Sequence, residues 1–541
     1  MAKGAYKMFM LIRRHYNISS GKFELLPDFK LKCGLEIHTQ LNTKNKLFSL
    51  STNDPYNSIS KPNTNTSYFD IALPGTQPIL NYEVVSHAIK LSLALGCQVN
   101  LNSQFDRKHY FYGDQPMGYQ ITQHYSPISS RGHLTLYGEL DNIDEATKNI
   151  KIIQLQIEQD TGKSTYDNFD DVTLIDLNRS NVPLIEMVTD PDFTDLKQIR
   201  SFIRKYQNLV RHLNVSTGDL ESGSMRVDVN VSINDYPRVE LKNLANTSSI
   251  LNAVKYEYQR QVEIIKDGKA DEFLLHPETR GWTGSSTVKL RSKETTIDYR
   301  YMPDPELPLV TLSPTIVEKI SRELPILPDQ LLHTLTAEPY SLSLKDAKIL
   351  TINSNSQNEY YCTSAVMNFY FNVFQEYSQR SGTELNSKLP INWIIHELLG
   401  DLNKLQLPLN VVQESLTPNL FGGFLMLMHN KDISNASAKL LLFHILNKIK
   451  TSNTKIDIDF YQMIEEFNLK NIISVDSNEL RELCRTIVDE LNNVKLLDDI
   501  VSGRKKGSLK FLVGQGMRAS QGKINAKELE GMFKQILKIQ W

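Results

Sequence analysis

The chain has 541 residues, 40% of them apolar and 23% charged, as expected of a globular protein with ordinary cores. At about 150 residues per domain, that length predicts three or four domains. A net charge of −2 excludes a globally basic nucleic-acid binder but leaves room for RNA binding through a local basic surface. Cys33, Cys97, Cys362 and Cys484 lie far apart, with no Cys-x-x-Cys pair. That spacing argues against a zinc site and a secreted disulfide framework, and it fits a reducing compartment.

The first 23 residues carry Lys3, Lys7, Arg13, Arg14 and Lys22, and the first acidic residue is Glu24. A basic, acid-free leader with interspersed Met, Phe, Leu and Ile predicts a mitochondrial presequence over residues 1–29, outside the fold; the alternative is a disordered basic tail. No apolar run reaches the roughly 18 residues a membrane span needs. The longest, Leu420–Met428, contains two glycines.

Residues 31–41 alternate. Leu31, Cys33, Leu35, Ile37 and Leu41 fall on one side of a strand, and Glu36, His38 and Gln40 fall on the other. Helices are expected over 83–95, with Gly96 at its C-terminal cap, over 194–214 with Thr194 as N-cap, and over 249–266. Between them come further strands with polar faces. Residues 150–159 set Ile153, Leu155 and Ile157 against Gln154, Gln156 and Glu158. Residues 224–233 set Met225, Val227, Val229, Val231 and Ile233 against Ser224, Arg226, Asp228, Asn230 and Ser232. Residues 238–242 set Val239 and Leu241 against Arg238, Glu240 and Lys242. Mixed strands and helices indicate an α+β domain over 30–324. After Tyr301–Pro308 the texture turns helical, with segments near 358–379, 392–403, 435–450 and 478–497. These divide into a helical domain over 325–430 and a tail domain over 431–541.

Several strands whose outer faces carry Glu, His, Asp, Asn, Arg and Lys fit either a generic polar concavity or an ATP–metal site. Oxygen ligands with one imidazole suit magnesium or manganese. Gly162-Lys163-Ser164 is not a P-loop, because Ile157 stands where that motif needs Gly. Phe105–Tyr112 interleaves aromatics with cations, a mixture suited to adenine or RNA and equally to a core. No nucleophilic Ser or Cys with a nearby base is recognisable, so acyl-enzyme chemistry is not expected.

In order along the chain stand Gly34-Leu-Glu-Ile-His38, Phe105-Asp-Arg-Lys108, Tyr110-Phe-Tyr112, Gly118-Tyr-Gln120, Asp160-Thr-Gly-Lys-Ser164, Asp176-Leu-Asn-Arg179, Pro183-Leu-Ile-Glu186, Gly223–Asn230, Glu240-Leu-Lys-Asn243, Asp298-Tyr-Arg-Tyr301 and Phe511-Leu-Val-Gly-Gln515. With this set the chain resembles the B-subunit (GatB) family of glutamyl-tRNA(Gln)/aspartyl-tRNA(Asn) amidotransferases, from about residue 31 to the C-terminus. The resemblance implies a cradle-shaped catalytic domain, then a helical domain and a YqeY-like tail that approaches tRNA. It implies ATP-dependent phosphorylation of glutamate misattached to tRNA(Gln). Ammonia from the glutaminase subunit GatA then displaces the phosphate, and a small third subunit, GatC or a substitute, completes the complex. It assigns Glu36, His38, Glu158 and Glu186 as catalytic Mg²⁺ ligands. Lys108, Tyr110, Lys163 and Arg226 become nucleotide contacts. In the basic loop before the last helices, Arg504, Lys505 and Lys506 are candidate tRNA contacts, the alternative being a solvated loop. Gln156 and Gln159 depart from the bacterial pattern of His and Glu, and Gly113 and Met117 from Pro and Lys. The leader and the glutamines resemble the mitochondrial, fungal-type branch, which implies Gln-tRNA(Gln) synthesis in the mitochondrial matrix. A non-catalytic tRNA-binding scaffold is the competing expectation.

Overall fold

A computed structural model describes residues 23–539 except 55–60, 168, 293–298, 353–359, 453–454, 468, 471–476, 492–493, 502–505, 521–523 and 525. The leader over residues 1–22 lies outside the described residues. The chain divides into two compact units, Met1–Leu327 and Pro328–Trp541.

The first unit is built on the alternation of β1 (Leu31–Gln40). Its odd-numbered apolar side chains are buried, while Glu36 and His38 are half-buried on the other face. Along the chain follow β2 (Gln98–Val99), β3 (Asn102–His109), β4 (Tyr119–Ser126), β5 (Ser129–Tyr137), β6 (Thr147–Gln159), β7 (Lys163–Asp167), β8 (Val172–Asp176) and β9 (Pro183–Thr189). After a helix come β10 (Met225–Ile233) and β11 (Val239–Lys242), then β12 (Glu278–Trp282) and β13 (Thr287–Ser292). A nine-stranded sheet runs in the order β13-β12-β11-β10-β1-β9-β6-β5-β2, antiparallel at each pairing except the parallel β11–β12. Strand β3 pairs β4, and β7 pairs β8, in separate small sheets.

Helices Tyr82–Ala94, Leu196–His212 and Thr247–Lys266 bury their apolar stripes in the same core as the odd-numbered residues of β1 and β10. Each fully buried Val, Leu, Ile or Phe there stabilises the unit by about 1.5–3 kcal/mol. Asn81 and Asn246 cap the first and third of these helices, accepting from the amides of Glu83 and Ser249. The second helix departs from expectation: Asp195 is its N-cap, and Thr194 instead donates its amide to the Gln198 side chain. Lys46 and Asp70 form a fully buried ion pair (3.2 Å), with Ser49 and Asn181 also donating to Asp70.

Four further expectations change. Residues 23–29 belong to the folded unit, not to a detached leader. Phe23, Leu25 and Phe29 pack on the core, and the Tyr258 hydroxyl accepts from the Leu26 amide and donates to the Phe29 carbonyl. In β6 a register shift between Ile152 and Gln154 turns Ile153 out, 46% exposed, and sends Ile152 into the core in its place. In the second unit one apolar core runs from Leu332 to Leu469, so residues 431–469 pack with the helices before them. A separate core spans Leu480–Phe533. The helix expected over 478–497 is two, Ser477–Glu490 and Val494–Val501. Among the described residues no helix is long and apolar enough to cross a membrane.

The β5–β2 corner is tight enough to test. A Cβ on Gly132 would stand 2.1 Å from Cys97 Sγ and 3.0 Å from the Leu95 carbonyl oxygen. Gly132→Ala is therefore expected to destabilise the first unit by about 1–3 kcal/mol through overpacking. Gly34→Ala, whose Cβ meets nothing nearer than 3.4 Å, should change little. Thermal-unfolding midpoints of the two variants give the comparison; equal midpoints would refute the packing account.

Candidate active site

Strand register, rather than any local motif, assembles the polar face. His38 on β1 lies opposite Glu186 on β9 and Arg226 on β10, and Glu186 lies opposite Gln156 on β6. These four residues make one row across the sheet. In the neighbouring row Glu36 pairs with Asp228 and Val188, and Val188 with Gln154. Glu158 stands two residues beyond Gln156 on the same face of β6, because side chains repeat with period two. Directly opposed side chains on one face have Cβ atoms about 4.5–5.5 Å apart, so the rows converge. Above them lies a cavity of about 1130 Å³, walled also by Lys108, Tyr110, Gln120, His124, Tyr299 and Tyr301.

His38 Nε2 lies 3.6 Å from Glu158 Oε1 and 3.8 Å from Glu186 Oε2. One ligand atom from each of the three residues falls within 4.8 Å of the others. Neutral amides hold the carboxylates: Gln120 Nε2 donates to Glu158 (2.8 Å), and Gln156 Nε2 donates to Glu186. Gln154 in turn donates to Gln156 (3.0 Å). Burial, then repulsion from Glu186, raises the Glu158 pKa; burial likewise raises that of Glu186. Burial lowers the His38 pKa, outweighing the attraction of Glu158. A neutral imidazole is the metal-ligating form. Two crowded carboxylates and a neutral imidazole are the donor set a hard divalent cation accepts, so the residues present fit Mg²⁺.

The cations around the cavity differ in their pairing. Burial opposes the Lys108 ammonium, but Glu158, Tyr301 and Glu186 outweigh it and its pKa rises. Arg226 donates to Asp160 (2.8 Å), with Arg179 3.8 Å from the same carboxylate. Lys242 bridges Asp228 (2.5 Å) and Glu240 (2.9 Å). His124 stacks on Tyr301 with ring centroids 3.8 Å apart, and Tyr299 meets Tyr110 edge to face.

Of the residues singled out from sequence, Glu36, His38, Lys108, Tyr110, Glu158, Glu186 and Arg226 all line this cavity. Glu36 lies outside the three-residue cluster and accepts from Asn230 Nδ2 (2.8 Å). Lys163 is not among the lining residues. It is exposed on β7, opposite Asp176 in the β7–β8 hairpin. Gln159 is also absent from the lining: it is buried, and its Oε1 accepts from the Ile121 amide. Arg504 and Lys505 lie outside the described residues, as do Asp298 and the side chain of Lys506. Sequence reasoning missed the roles of Gln120 and Gln156 as carboxylate holders and the pairing of Asp160 with Arg226. Gln120, Asp160 and Arg226 stand in motifs that carry the resemblance, and Gln156 has the period-two position beside Glu158, but neither signal gives these partners.

Family models agree with this division of the chain. The model for the GatB/GatE catalytic domain matches residues 31–318, and that for the GatB domain matches residues 372–537. A protein of Vanderwaltozyma polyspora, named as the B subunit of mitochondrial glutamyl-tRNA(Gln) amidotransferase, is 66% identical over 99% of this chain and 100% of its own length. Proteins of the same name from Kluyveromyces lactis and Saccharomyces cerevisiae are 61% and 60% identical, each over 98% of this chain and at least 99% of their own length. By its full-length similarity to these relatives and by both domain matches, the chain belongs to the GatB family.

Proposed function

We propose that this chain is the B subunit of a mitochondrial glutamyl-tRNA(Gln) amidotransferase, a multisubunit ligase that converts Glu-tRNA(Gln) to Gln-tRNA(Gln). The observation that carries the catalytic assignment is the convergence of His38, Glu158 and Glu186 on the polar face of the sheet. We place it in the matrix, where mitochondrial translation uses the product. Ammonia supply falls to the glutaminase GatA, and a small third subunit completes the complex.

The chemistry needs two steps. The γ-phosphoryl group of ATP passes to the side-chain carboxylate of the tRNA-borne glutamate, giving an acyl phosphate and ADP. Ammonia then attacks the acyl carbon, the C–O bond to phosphate breaks, and the proton shed by nitrogen leaves with the phosphate. Activation is required because a carboxylate is a poor acyl electrophile. Mg²⁺ held by His38, Glu158 and Glu186 would neutralise charge on the phosphate oxygens. Gln120 and Gln156 orient the two carboxylates before substrate arrives. Lys108, kept protonated by the surrounding acids, faces the same space and can hold a phosphoryl oxygen. Water has to be kept from the acyl phosphate, which it would otherwise hydrolyse. Tyr110, Tyr299 and Tyr301 offer aromatic surface to a nucleotide base.

In the assembled complex, Glu36→Ala/His38→Ala is expected to abolish ATP-dependent conversion of Glu-tRNA(Gln) while glutamine hydrolysis by GatA continues. Single Gln120→Ala and Gln156→Ala variants should weaken Mg²⁺ binding or conversion by about 10–100-fold, the range for residues that orient metal ligands. Conversion by the double variant at the normal rate would show that phosphorylation happens elsewhere.

Proton competition gives a second test. Because burial raises both carboxyl pKa values above the ordinary 4.5, these groups protonate at a higher pH than exposed carboxylates. Mg²⁺ must displace those protons, so its affinity falls as pH falls toward the raised values. The Mg²⁺-induced rise in melting midpoint should therefore shrink as the pH is lowered from neutrality into the acid range. A rise that stays constant from neutrality down through the ordinary carboxyl value of 4.5 would exclude these carboxylates as ligands.

A further inference from the structure

We propose that Gln123 and Gln159 are positioning residues that dock strand β4 on β6 and thereby hold Gln120 and Lys108 against the carboxylates of the triad. This rests on the amidotransferase reading above and extends it to two side chains that do not line the cavity.

The joint closes an open sheet edge. Strand β5 pairs β6 only as far as Leu155, opposite Ser129, whereas β6 runs on to Gln159. Backbone groups of β6 beyond Leu155 therefore need other partners on that side. Strand β4 covers them, although among the described residues its only ladder is with β3. Side-chain amides make the joint instead, and they reach in both directions. From β4, Gln123 Oε1 accepts from the Ile157 amide (3.0 Å). From β6, Gln159 Oε1 accepts from the Ile121 amide (3.0 Å). Gln120 Nε2 adds a bond to the Gln159 carbonyl (2.7 Å), and Gln123 Nε2 donates to Ser103 Oγ on β3 (3.1 Å). Both Gln123 and Gln159 are fully buried.

What the joint positions is the polar face. Gln120 shares its Nε2 between the Gln159 carbonyl and Glu158 Oε1 (2.8 Å). The bond at Ile121 therefore fixes the backbone one residue away from a carboxylate holder. Lys108 lies opposite Gln120 in the β3–β4 pairing and lines the cavity with Glu158 and Glu186. Phe105 and Ile121 press the small sheet on the core, but apolar contact is non-directional. Hydrogen bonds are directional, and two of them reaching in opposite senses fix the displacement of β4 along β6. A slip there would take Gln120 from Glu158 and Lys108 from the triad together. Among the described residues Gln159 Nε2 has no hydrogen-bond partner, so the oxygen alone supplies the constraint.

Three variants in the complete complex test the assignment. Gln159→Met keeps the volume but removes the acceptor, Gln123→Met removes the reciprocal one, and Gln159→Glu keeps an acceptor oxygen. Each Met variant is expected to raise the Mg²⁺ concentration for half-maximal conversion of Glu-tRNA(Gln) by about tenfold or more, the range for residues that orient metal ligands. Gln159→Glu should restore most of that loss, because the Ile121 amide again has an acceptor. A packing role alone would lower the amount of active complex, and so the maximal rate, with the half-maximal concentration unchanged. That outcome, or a Gln159→Glu variant as impaired as Gln159→Met, overturns the proposal. Hydrogen–deuterium exchange reads the joint without turnover: exchange in β4 should quicken in Gln159→Met while β10 keeps the rate of the unsubstituted chain. No change in β4, or an equal change in β10, overturns the proposal as well. Quickened β4 exchange in Gln159→Met, together with an unsubstituted complex that makes no Gln-tRNA(Gln), would refute the amidotransferase reading and leave the β4–β6 joint standing.

Discussion

Burying Glu158 and Glu186 beside His38 costs free energy that the protein alone does not offset. Burial is the first cause raising both carboxyl pKa values, and repulsion from Glu186 adds to it at Glu158. An unpaired buried charge is expensive, and such groups neutralise or find a cation. Much of the first unit is arranged around this cost. The even-numbered residues of β1, β6, β9 and β10 hold the polar groups at fixed spacing, and the odd-numbered apolar residues of β1 and β10 anchor those strands in one core. Because register sets both faces at once, a one-residue slip of β1 would bury Glu36 and His38 in the core and expose Leu35 and Ile37. Fold stability and site geometry are therefore the same constraint.

The polar groups around the triad are sorted by what they neutralise. At one end Asp160 takes Arg226 and Arg179; at the other Lys242 bridges Asp228 and Glu240. Between them, the two triad carboxylates are held by uncharged amides from Gln120 and Gln156. Amide donors fix a carboxylate's orientation without cancelling its charge, which keeps the negative potential available to a cation.

Much of this was legible in the sequence because it depends on periodicity. Alternation in residues 31–41 and 224–233 identified both strands, and β10 alternates between buried and half-buried residues along its whole length. Where periodicity breaks, sequence reasoning failed for the same physical reason. Ile153 has the expected parity but sits at the irregularity of β6, where an extra residue reverses the faces. Thr194 has good capping chemistry, but the helix begins one residue later than a threonine N-cap would require. The adherence of Phe23 and Phe29 was invisible because it depends on Tyr258, more than two hundred residues away. Lys46 and Asp70 pair across a loop with no pattern to announce them.

The glutamines that distinguish this chain from the bacterial pattern take different meanings once placed. Gln159 is off the cavity and bonded to the β4 backbone, so a carboxylate missing there subtracts nothing from the cavity lining. Gln156 is in the row with Glu186 and His38, and it acts on a ligand rather than as one. The lining still carries seven carboxylates, Glu36, Glu158, Asp160, Glu186, Glu221, Asp228 and Glu240, against the cations Lys108, Arg226, Arg238 and Lys242. A cavity with that excess repels a bare nucleotide triphosphate. Only a polyanion that arrives with divalent charge, or meets it there, lowers its energy on entering. For the proposed metal and nucleotide, acidic walls of this kind would make the two binding steps interdependent, and Gln156, being uncharged, would leave that coupling intact.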